Sequence, residues 1–467
     1  VAGIYIETFG CQMNEADSQY IADRADAAGY TLVSEPRAAS VIVLNTCTVR
    51  DNAERRAYGR MQHMRALKIA DPAVKLVVCG CLAEQDRDRM QTIAPHVDAV
   101  FGTSELVRFG DTLELWRAEF DEAVPSDERM LVDEMGGQAD CIPDAFSHLR
   151  AFVTVQRGCS YYCTFCIVPH VRGRFDHRPA ADILAEVRAA LDRGAREITL
   201  VGQTVNAYSE PADASDFSQL LERVAALDGL ERLTFVTSHP KDFDGRLIET
   251  LASLPKVNPR LHLPVQCGSD PILRRMNRKY TVAQYLDKID RFRAVCRDWA
   301  LTTDLIVGFP GESEEDFERT LALCARVRFA QAFMFVYSPR RGTPAALWEQ
   351  VPAATGAERL RRLNDAVGAD VCTYHAHKAG TVVRALVVGR SRKDPTRIAA
   401  KTPDNVTIIA PLEGRSVAAF ADRPWLDVAV ESSHIWGCAG RLVGAAPRFG
   451  DPAQPLPEPA LDLVSLL

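Results

Sequence analysis

Short runs of consecutive apolar residues recur from the first residues to about position 338, and the stretches between them carry helical spacing. Unbroken apolar runs of that length read as strands buried on both faces, and the spaced stretches read as helices laid over them. Over residues 1–104 the runs are GIYIET, VIVLNT, KLVVCG and VDAVFG, with helical patterns after Asn14, Val49 and Ala83. This alternation predicts an α/β domain built on a parallel sheet. Residues 105–148 contain EAVPSDER and DEMGGQAD, acidic and rich in breakers, and are expected to connect domains, with one helix near Thr112–Phe120.

The alternation resumes over residues 149–378. FVTVQR, EITLVG, LTFVTS, LHLPVQ, TTDLIVG and AFMFVYS are the expected strands, and the six βα units predict an incomplete (βα)6 barrel, with a helix near Ala357–His377 leading out of it. From 379 to 445 the texture changes to short β-rich runs: VVRALVVG, RIAAKT, VTIIAP, VAAFAD and WLDVAVES. These are expected to form a small, OB-like barrel of the kind that binds oligonucleotides. Residues 446–467 are proline-rich and expected to be disordered or loosely draped.

Composition narrows the class. A chain of 467 residues that is 47% hydrophobic can bury several cores. Its 55 basic and 62 acidic residues leave a net charge of −7, which argues neither for nor against nucleic acid as a partner. No apolar stretch approaches the roughly 18–20 residues that span a bilayer. The opening VAGIYIETFG lacks the basic and apolar regions of a secretory signal. In such a chain the 13 cysteines are expected to be reduced thiols and metal ligands, and the protein to be soluble, cytoplasmic and oxygen-sensitive.

Cys159, Cys163 and Cys166 in GCSYYCTFC are the most informative residues. Three thiolates on one short loop can hold three irons of a cubane cluster and leave the fourth open to a small molecule. Structural zinc is the alternative, but it asks for four ligands, usually as two close pairs, and no second pair lies nearby. Cys11, Cys47 and Cys81 are far apart in sequence, yet each follows the C-terminal end of an expected strand. In an open parallel sheet those ends share one edge, where ligands bind, so the three could meet at one metal site. The alternative is three loop cysteines with no common role. Cys79 lies inside a strand run and reads as a core thiol.

CSYYCTFC followed by IVPHVRGR resembles the cluster loop of radical S-adenosylmethionine enzymes, specifically the methylthiotransferases. TFGCQMNEADS, NTCTVRDNAE and CGCLAEQ resemble the three cysteine motifs of that family's amino-terminal domain, and the likeness runs from Ile4 to about Val443. The resemblance implies two 4Fe-4S clusters. Cys159, Cys163 and Cys166 would hold the one whose open iron takes S-adenosyl-L-methionine, and Cys11, Cys47 and Cys81 an auxiliary one that carries an exogenous sulfur. It also implies an enzyme, a tRNA methylthiotransferase. One S-adenosylmethionine methylates the sulfur, a second is cleaved reductively to a 5′-deoxyadenosyl radical, and CH3–S passes to carbon-2 of an adenosine beside the anticodon.

Gly10-Cys11-Gln12-Met13-Asn14 resembles the branch acting on isopentenyladenosine in tRNA. The alternatives are the branches acting on threonylcarbamoyladenosine in tRNA or on a ribosomal protein. An iron–sulfur RNA-binding protein without turnover is the alternative of a different class. No catalytic side chain beyond the cluster ligands is implied, whereas a low-potential electron donor of flavodoxin or ferredoxin type and a sulfur source are.

Five further segments, LVGQTVNAY, TSHP, LHLPVQCGSD, TTDLIVGFPGES and YSPRRGTPA, fall at strand ends of the barrel series and resemble family segments. Gln203, Asn206, Ser238, Gln266, Asp304 and Gly308 stand where polar groups and close backbone approach could serve S-adenosylmethionine. Each could instead satisfy the backbone at a strand end. Asp304 could orient a ribose, approach the substrate base or pair with a basic neighbour. Phe175, His177 and Arg341 depart from the family pattern, and His177 reads as a surface residue or a phosphate contact. Arg384, Arg390, Arg392, Lys393, Arg397 and Lys401 put a local charge of +5 on the small barrel, opposed only by Asp394. Such a face can grip phosphates; a solvated strand face is the alternative. Resemblance to the family's terminal TRAM domain favours RNA, gripped by its backbone because no aromatic residues interleave the charges.

Overall fold

Apolar alternation within each short run sets the two faces of the first sheet. Tyr5, Ile42, Leu44, Leu76 and Val78 enter one core, while Ile4, Ile6, Val41, Val43, Val77 and Cys79 enter the core on the opposite face. The computed structural model describes residues 2–49, 51–123, 146–391, 393–420 and 423–443. The sheet runs Thr31–Leu32, Gly3–Thr8, Val41–Thr46, Lys75–Gly80, Ala99–Phe101, with every pairing parallel. The two-residue edge strand was not among the expected elements. Helices Gln12–Ala27 and Asp51–Ala70 follow the strands Gly3–Thr8 and Val41–Thr46. After Gly80 the chain forms two short helices, Cys81–Gln85 and Arg87–Ile93, instead of one. The helix expected near Thr112–Phe120 spans Phe109–Ala123 and covers the second core with Phe109 and Leu113. Most of the remaining connecting segment lies outside the described residues.

Six parallel strands follow as two sheets of three, Arg150–Thr154, Glu197–Val201, Arg232–Phe235 and then Arg260–His262, Ala300–Val307, Gln331–Val336. An isolated parallel bridge between Leu233 and Val257 joins the two sheets. Strands succeed one another in chain order, as an incomplete barrel requires. FVTVQR is not one strand. It breaks after Thr154, and Gln156–Arg157 turns away to pair antiparallel with Asp176–His177. That break launches the cysteine loop. Capping boxes at Asp216, Thr281 and Ser313 fix where three of the intervening helices begin. One continuous core, including Val153, Leu200, Leu233, Leu261 and Leu305, ties the strands to these helices.

The chain divides into two units, Val1–Tyr374 with Pro403–Asn405 and the remainder. In the second unit five strands close into a barrel in the order Val382–Arg390, Arg397–Lys401, Thr407–Pro411, Gly437–Leu442, Trp425–His434. VAAFAD is not one of them: Val417–Phe420 is a single helical turn, and the fifth strand is Gly437–Leu442. The proline-rich tail, 446–467, lies outside the described residues. No helix among the described residues is long and apolar enough to cross a membrane.

Candidate functional site

The loop of Cys159, Cys163 and Cys166 is pinned on all sides. Gly158 sits at φ +68°, and a Cβ there would stand 2.0 Å from the Arg174 carbonyl oxygen. Only glycine lets the loop lie this close to the Gly173–Arg174 segment, whose Gly173 carbonyl accepts from the Cys159 N–H at 3.0 Å. Asn277 donates to the carbonyls of Tyr161 (3.2 Å) and Tyr162 (2.9 Å). Buried Arg278 donates to Cys163 Sγ at 3.5 Å and to the Pro264 carbonyl at 3.0 Å. Gln156 donates to the Gly158 carbonyl and accepts from the Thr204 N–H at 3.2 Å, and Thr204 Oγ1 lies 3.6 Å from Cys159 Sγ. Burial pushes the Cys159 thiol up and the Cys166 thiol up to about 12. A metal that binds their thiolates would therefore displace protons.

Cys11, Cys47 and Cys81 come together at the C-terminal edge of the first sheet. Gly10 is at φ +121°, and a Cβ there would fall 2.3 Å from Cys47 Cβ, so the first two cysteine turns approach closely only because residue 10 is glycine. Asn14 and Asn45 clasp them from below. Asn14 Nδ2 donates to Asn45 Oδ1 and to the Thr46 carbonyl, both at 2.9 Å, and Asn45 Nδ2 returns a bond to the Asn14 carbonyl at 2.8 Å. The neighbouring Cys47 thiol, with help from the Arg172 charge, holds Cys11 down to about 6 against the effect of burial. The Cys11 thiol and burial push Cys47 up, and burial pushes up Cys81. Cys79 faces the sheet core and takes no part.

Two cysteines of the second trio abut the barrel. Cys11 packs with Met13, Val201 and Val236, at the ends of two barrel strands, and Cys81 packs with Ile167 and Val171, just beyond Cys166. Further ties fix the contact. Gln19 accepts from the Phe152 N–H at 3.0 Å, Arg340 donates to Glu54 at 2.9 Å and to the Val49 carbonyl at 3.2 Å, and Arg341 donates to Asp86 at 2.9 Å. Among the described residues no three His, Cys, Asp or Glu side chains are arranged to hold a single metal ion. Three thiols at each place are a donor set able to take three irons of a cubane.

Beside the trios lies a group of polar atoms without protein partners. Both amide atoms of Gln203, the Ser238 hydroxyl and His239 Nε2 are shielded from solvent and make no hydrogen bond among the described residues. Native proteins rarely leave such atoms unpaired, and four of them, from three residues past adjacent strands, fit a polar small molecule. His239 was not anticipated. Its Nδ1 accepts from the Lys241 N–H at 3.1 Å, and its ring centre lies 4.5 Å from that of Tyr161. Asn206, by contrast, spends its amide on the backbone of His239, at 2.9 and 2.8 Å, and shapes that loop. Gln266 holds the left-handed φ of +72°, its backbone bridged to the strand of Asp304. Asp304 Oδ1 is 3.5 Å from His262 Nε2. The Gly308 N–H is taken by Glu312 at 2.6 Å, and a Cβ at Gly308 would reach 3.3 Å from Gly356 Cα.

The departures from the family pattern are accommodated locally. Phe175 packs edge-on against Tyr161 at 5.4 Å. His177 lies half-buried between Phe175 and Tyr208, and burial lowers its pKa. Within the second unit the basic residues disperse. Arg390, Lys393 and Arg397 gather round the turn joining the first two strands, where Asp394 pairs with Arg397 at 3.1 Å. Arg384 lies over the Trp425 ring at 5.5 Å, and Lys401 ends the second strand. Arg392 is outside the described residues. Trp436, at a hairpin tip, is 80% exposed, an aromatic outside the basic run of residues 384–401.

Comparison with known proteins accords with this geometry. Residues 153–324 match the model of the Radical SAM superfamily, and residues 3–102 match that of Uncharacterized protein family UPF0004. The chain is 42% identical over 409 residues to the tRNA-2-methylthio-N(6)-dimethylallyladenosine synthase of Syntrophotalea carbinolica, covering 86% of this chain and 92% of that protein. It is 44% identical over 412 residues to the protein of the same name from Alkalilimnicola ehrlichii, covering 86% and 90%. Among solved structures, the radical S-adenosylmethionine methyltransferase TsrM from Kitasatospora setae, with cobalamin and a [4Fe-4S] cluster bound, aligns with a TM-score of 0.51 at 13% identity. That alignment covers 74% of this chain and 77% of that one, a likeness of fold.

Proposed function

The chain belongs to the tRNA-2-methylthio-N(6)-dimethylallyladenosine synthase family of radical S-adenosylmethionine proteins, and from that premise we propose that it adds a methylthio group to carbon-2 of isopentenyladenosine beside the anticodon of tRNA. The observation that carries the proposal is the packing of Cys11 against two barrel strand ends and of Cys81 against the segment that follows Cys166. Cys159, Cys163 and Cys166 are assigned to a cluster that binds S-adenosylmethionine, and Cys11, Cys47 and Cys81 to an auxiliary cluster. When bound, the first supplies a carbon radical able to attack a C–H bond beyond the reach of acid–base catalysis, and the second supplies sulfur.

The chain's own part is to hold and orient. Arg278 steadies Cys163, and Gln156 ties the cysteine loop to Thr204 and hence to Gln203. Gln203, Ser238 and His239 supply the polar wall of the cofactor pocket, and Asn206 braces it. Gln266 and Gly308, just past the next strands, and Asp304, within the strand Ala300–Val307, are assigned to the same cofactor pocket. A Gln203→Ala change is expected to weaken S-adenosylmethionine binding by about tenfold, the loss of roughly 1.4 kcal/mol in hydrogen bonding. Equilibrium dialysis on anaerobically reconstituted protein reads this directly, and an unchanged Kd would remove Gln203 from the pocket.

On this reading tRNA is the substrate, gripped in part by Arg384, Arg390, Lys393, Arg397 and Lys401 with Arg392. An electron donor of flavodoxin or ferredoxin type and a sulfur source complete the partners, and the cytoplasm is the setting. Nucleoside mass spectrometry of tRNA from a deletion strain tests the assignment. The expected result is loss of methylthio-isopentenyladenosine and accumulation of isopentenyladenosine. Unaltered methylthio-isopentenyladenosine would overturn it, and loss of methylthio-threonylcarbamoyladenosine instead would point to the sister branch.

A further inference from the structure

Arg172 stands six residues after Cys166, on the segment that leaves the first cysteine loop, yet its side chain ends in the second trio. Nε donates to Cys81 Sγ at 3.0 Å and Nη2 to Asp17 at 2.8 Å. The Arg172 side chain is 4% exposed and that of Asp17 1%. The backbone beneath it is fixed: Val168–Val171 forms a helical turn, Val171 packs on Cys81, and Thr103 Oγ1 donates to the Val171 carbonyl at 2.5 Å. Burial works against the charge on Arg172, but Cys81, Asp17 and Cys11 together outweigh it and hold the guanidinium charged.

A buried arginine needs a reason to be where it is, because desolvating a cation costs several kcal/mol unless partners repay it. Asp17 alone could neutralise the charge from the Nη side. The geometry instead aims Nε at a sulfur, and hydrogen bonds to ligand sulfurs, with nearby charge, set the reduction potentials of iron–sulfur centres. We propose that Arg172 is a positioning residue of the auxiliary site: it holds Cys81 in place and sets that cluster's potential from the loop that carries the other cluster. The inference rests on the two-cluster assignment of the thiol trios. A positive charge beside the centre stabilises its more negative, reduced form, so removing the charge lowers the potential and removing the counter-charge raises it.

The test uses the full-length chain with Cys159, Cys163 and Cys166 all changed to alanine, so that bound iron reports the auxiliary site alone. Iron is counted after anaerobic reconstitution, and the potential is then read by a redox titration followed by electron paramagnetic resonance. Arg172→Gln is expected to shift the reduced-to-oxidised ratio at least tenfold toward the oxidised form, which is 59 mV for a one-electron couple. Asp17→Asn leaves Arg172 in place and is expected to shift the ratio the other way. Arg172→Lys keeps the charge and is expected to stay within threefold of the parent, a result that a purely structural arginine would not separate from Arg172→Gln. Absence of iron in the parent would overturn the two-cluster reading and the inference with it. Iron present, with equal potentials in the parent and in whichever of Arg172→Gln and Asp17→Asn folds, would overturn the inference alone.

Discussion

A Cys11→Ala chain is expected to lose methylthiolation of tRNA by more than about a hundredfold, a larger loss than removing a group that only hydrogen-bonds to a metal ligand causes. It should nevertheless keep cleaving S-adenosylmethionine to 5′-deoxyadenosine. The contrast stems from how the residue is held. Cys11 sits at the start of helix Gln12–Ala27, beside Cys47 and the Asn14–Asn45 clasp, in the first domain. Among the described residues no hydrogen bond of the Cys159–Cys166 loop passes through it. Chromatography of 5′-deoxyadenosine and mass spectrometry of tRNA nucleosides, run on the same anaerobic samples, give both readouts. Loss of cleavage in a variant that still holds iron on the first trio would refute the division of labour between the two sites.

Replacing Cys163 by alanine is expected to have the wider effect, abolishing both products and removing about four irons per chain, the content of one cubane. Cys163 is the middle cysteine of the loop and 9% exposed, and its sulfur accepts the bond from Arg278. With the thiol gone, one arm of a buried guanidinium loses its acceptor, so the loop forfeits an internal anchor as well as a ligand. Circular dichroism separates this local loss from unfolding, since the barrel core does not depend on the loop. Continued formation of 5′-deoxyadenosine by a Cys163→Ala chain would remove Cys163 from the ligand set.

Much of this arrangement was legible in the chain because it depends on local pattern. VIVLNT and KLVVCG are β-branched runs ending at a polar residue or glycine, and in a parallel sheet their C-terminal ends must share an edge. Cys47 and Cys81 could thus be placed together without coordinates. VAAFAD misled because a short apolar run without β-branched density fits a helical turn as well as a strand. Gly437–Leu442 escaped notice for the opposite reason: GCAGRL has little strand propensity and is a strand because Trp425–His434 and Thr407–Pro411 pair with it. Arg172, Arg278, Gln156 and Asn45 were invisible as site residues. In sequence a buried arginine looks like a solvated one, and only the fold shows that its acceptor is a cysteine sulfur. Asn206 illustrates the converse. Its strand-end position matched a ligand contact, whereas its amide is committed to the neighbouring backbone.

The lock on His239 bears on how the pocket responds to acidity. Because Nδ1 accepts from the Lys241 N–H, the ring's proton is confined to Nε2, and burial first, then the nearby Arg278, drives the imidazole pKa down to about 2. His239 is thus a permanent donor in one tautomer, unlike a histidine poised to titrate. Its contribution to cofactor affinity should stay level from mildly acid to alkaline solution, so a pH optimum in turnover would report on some other group.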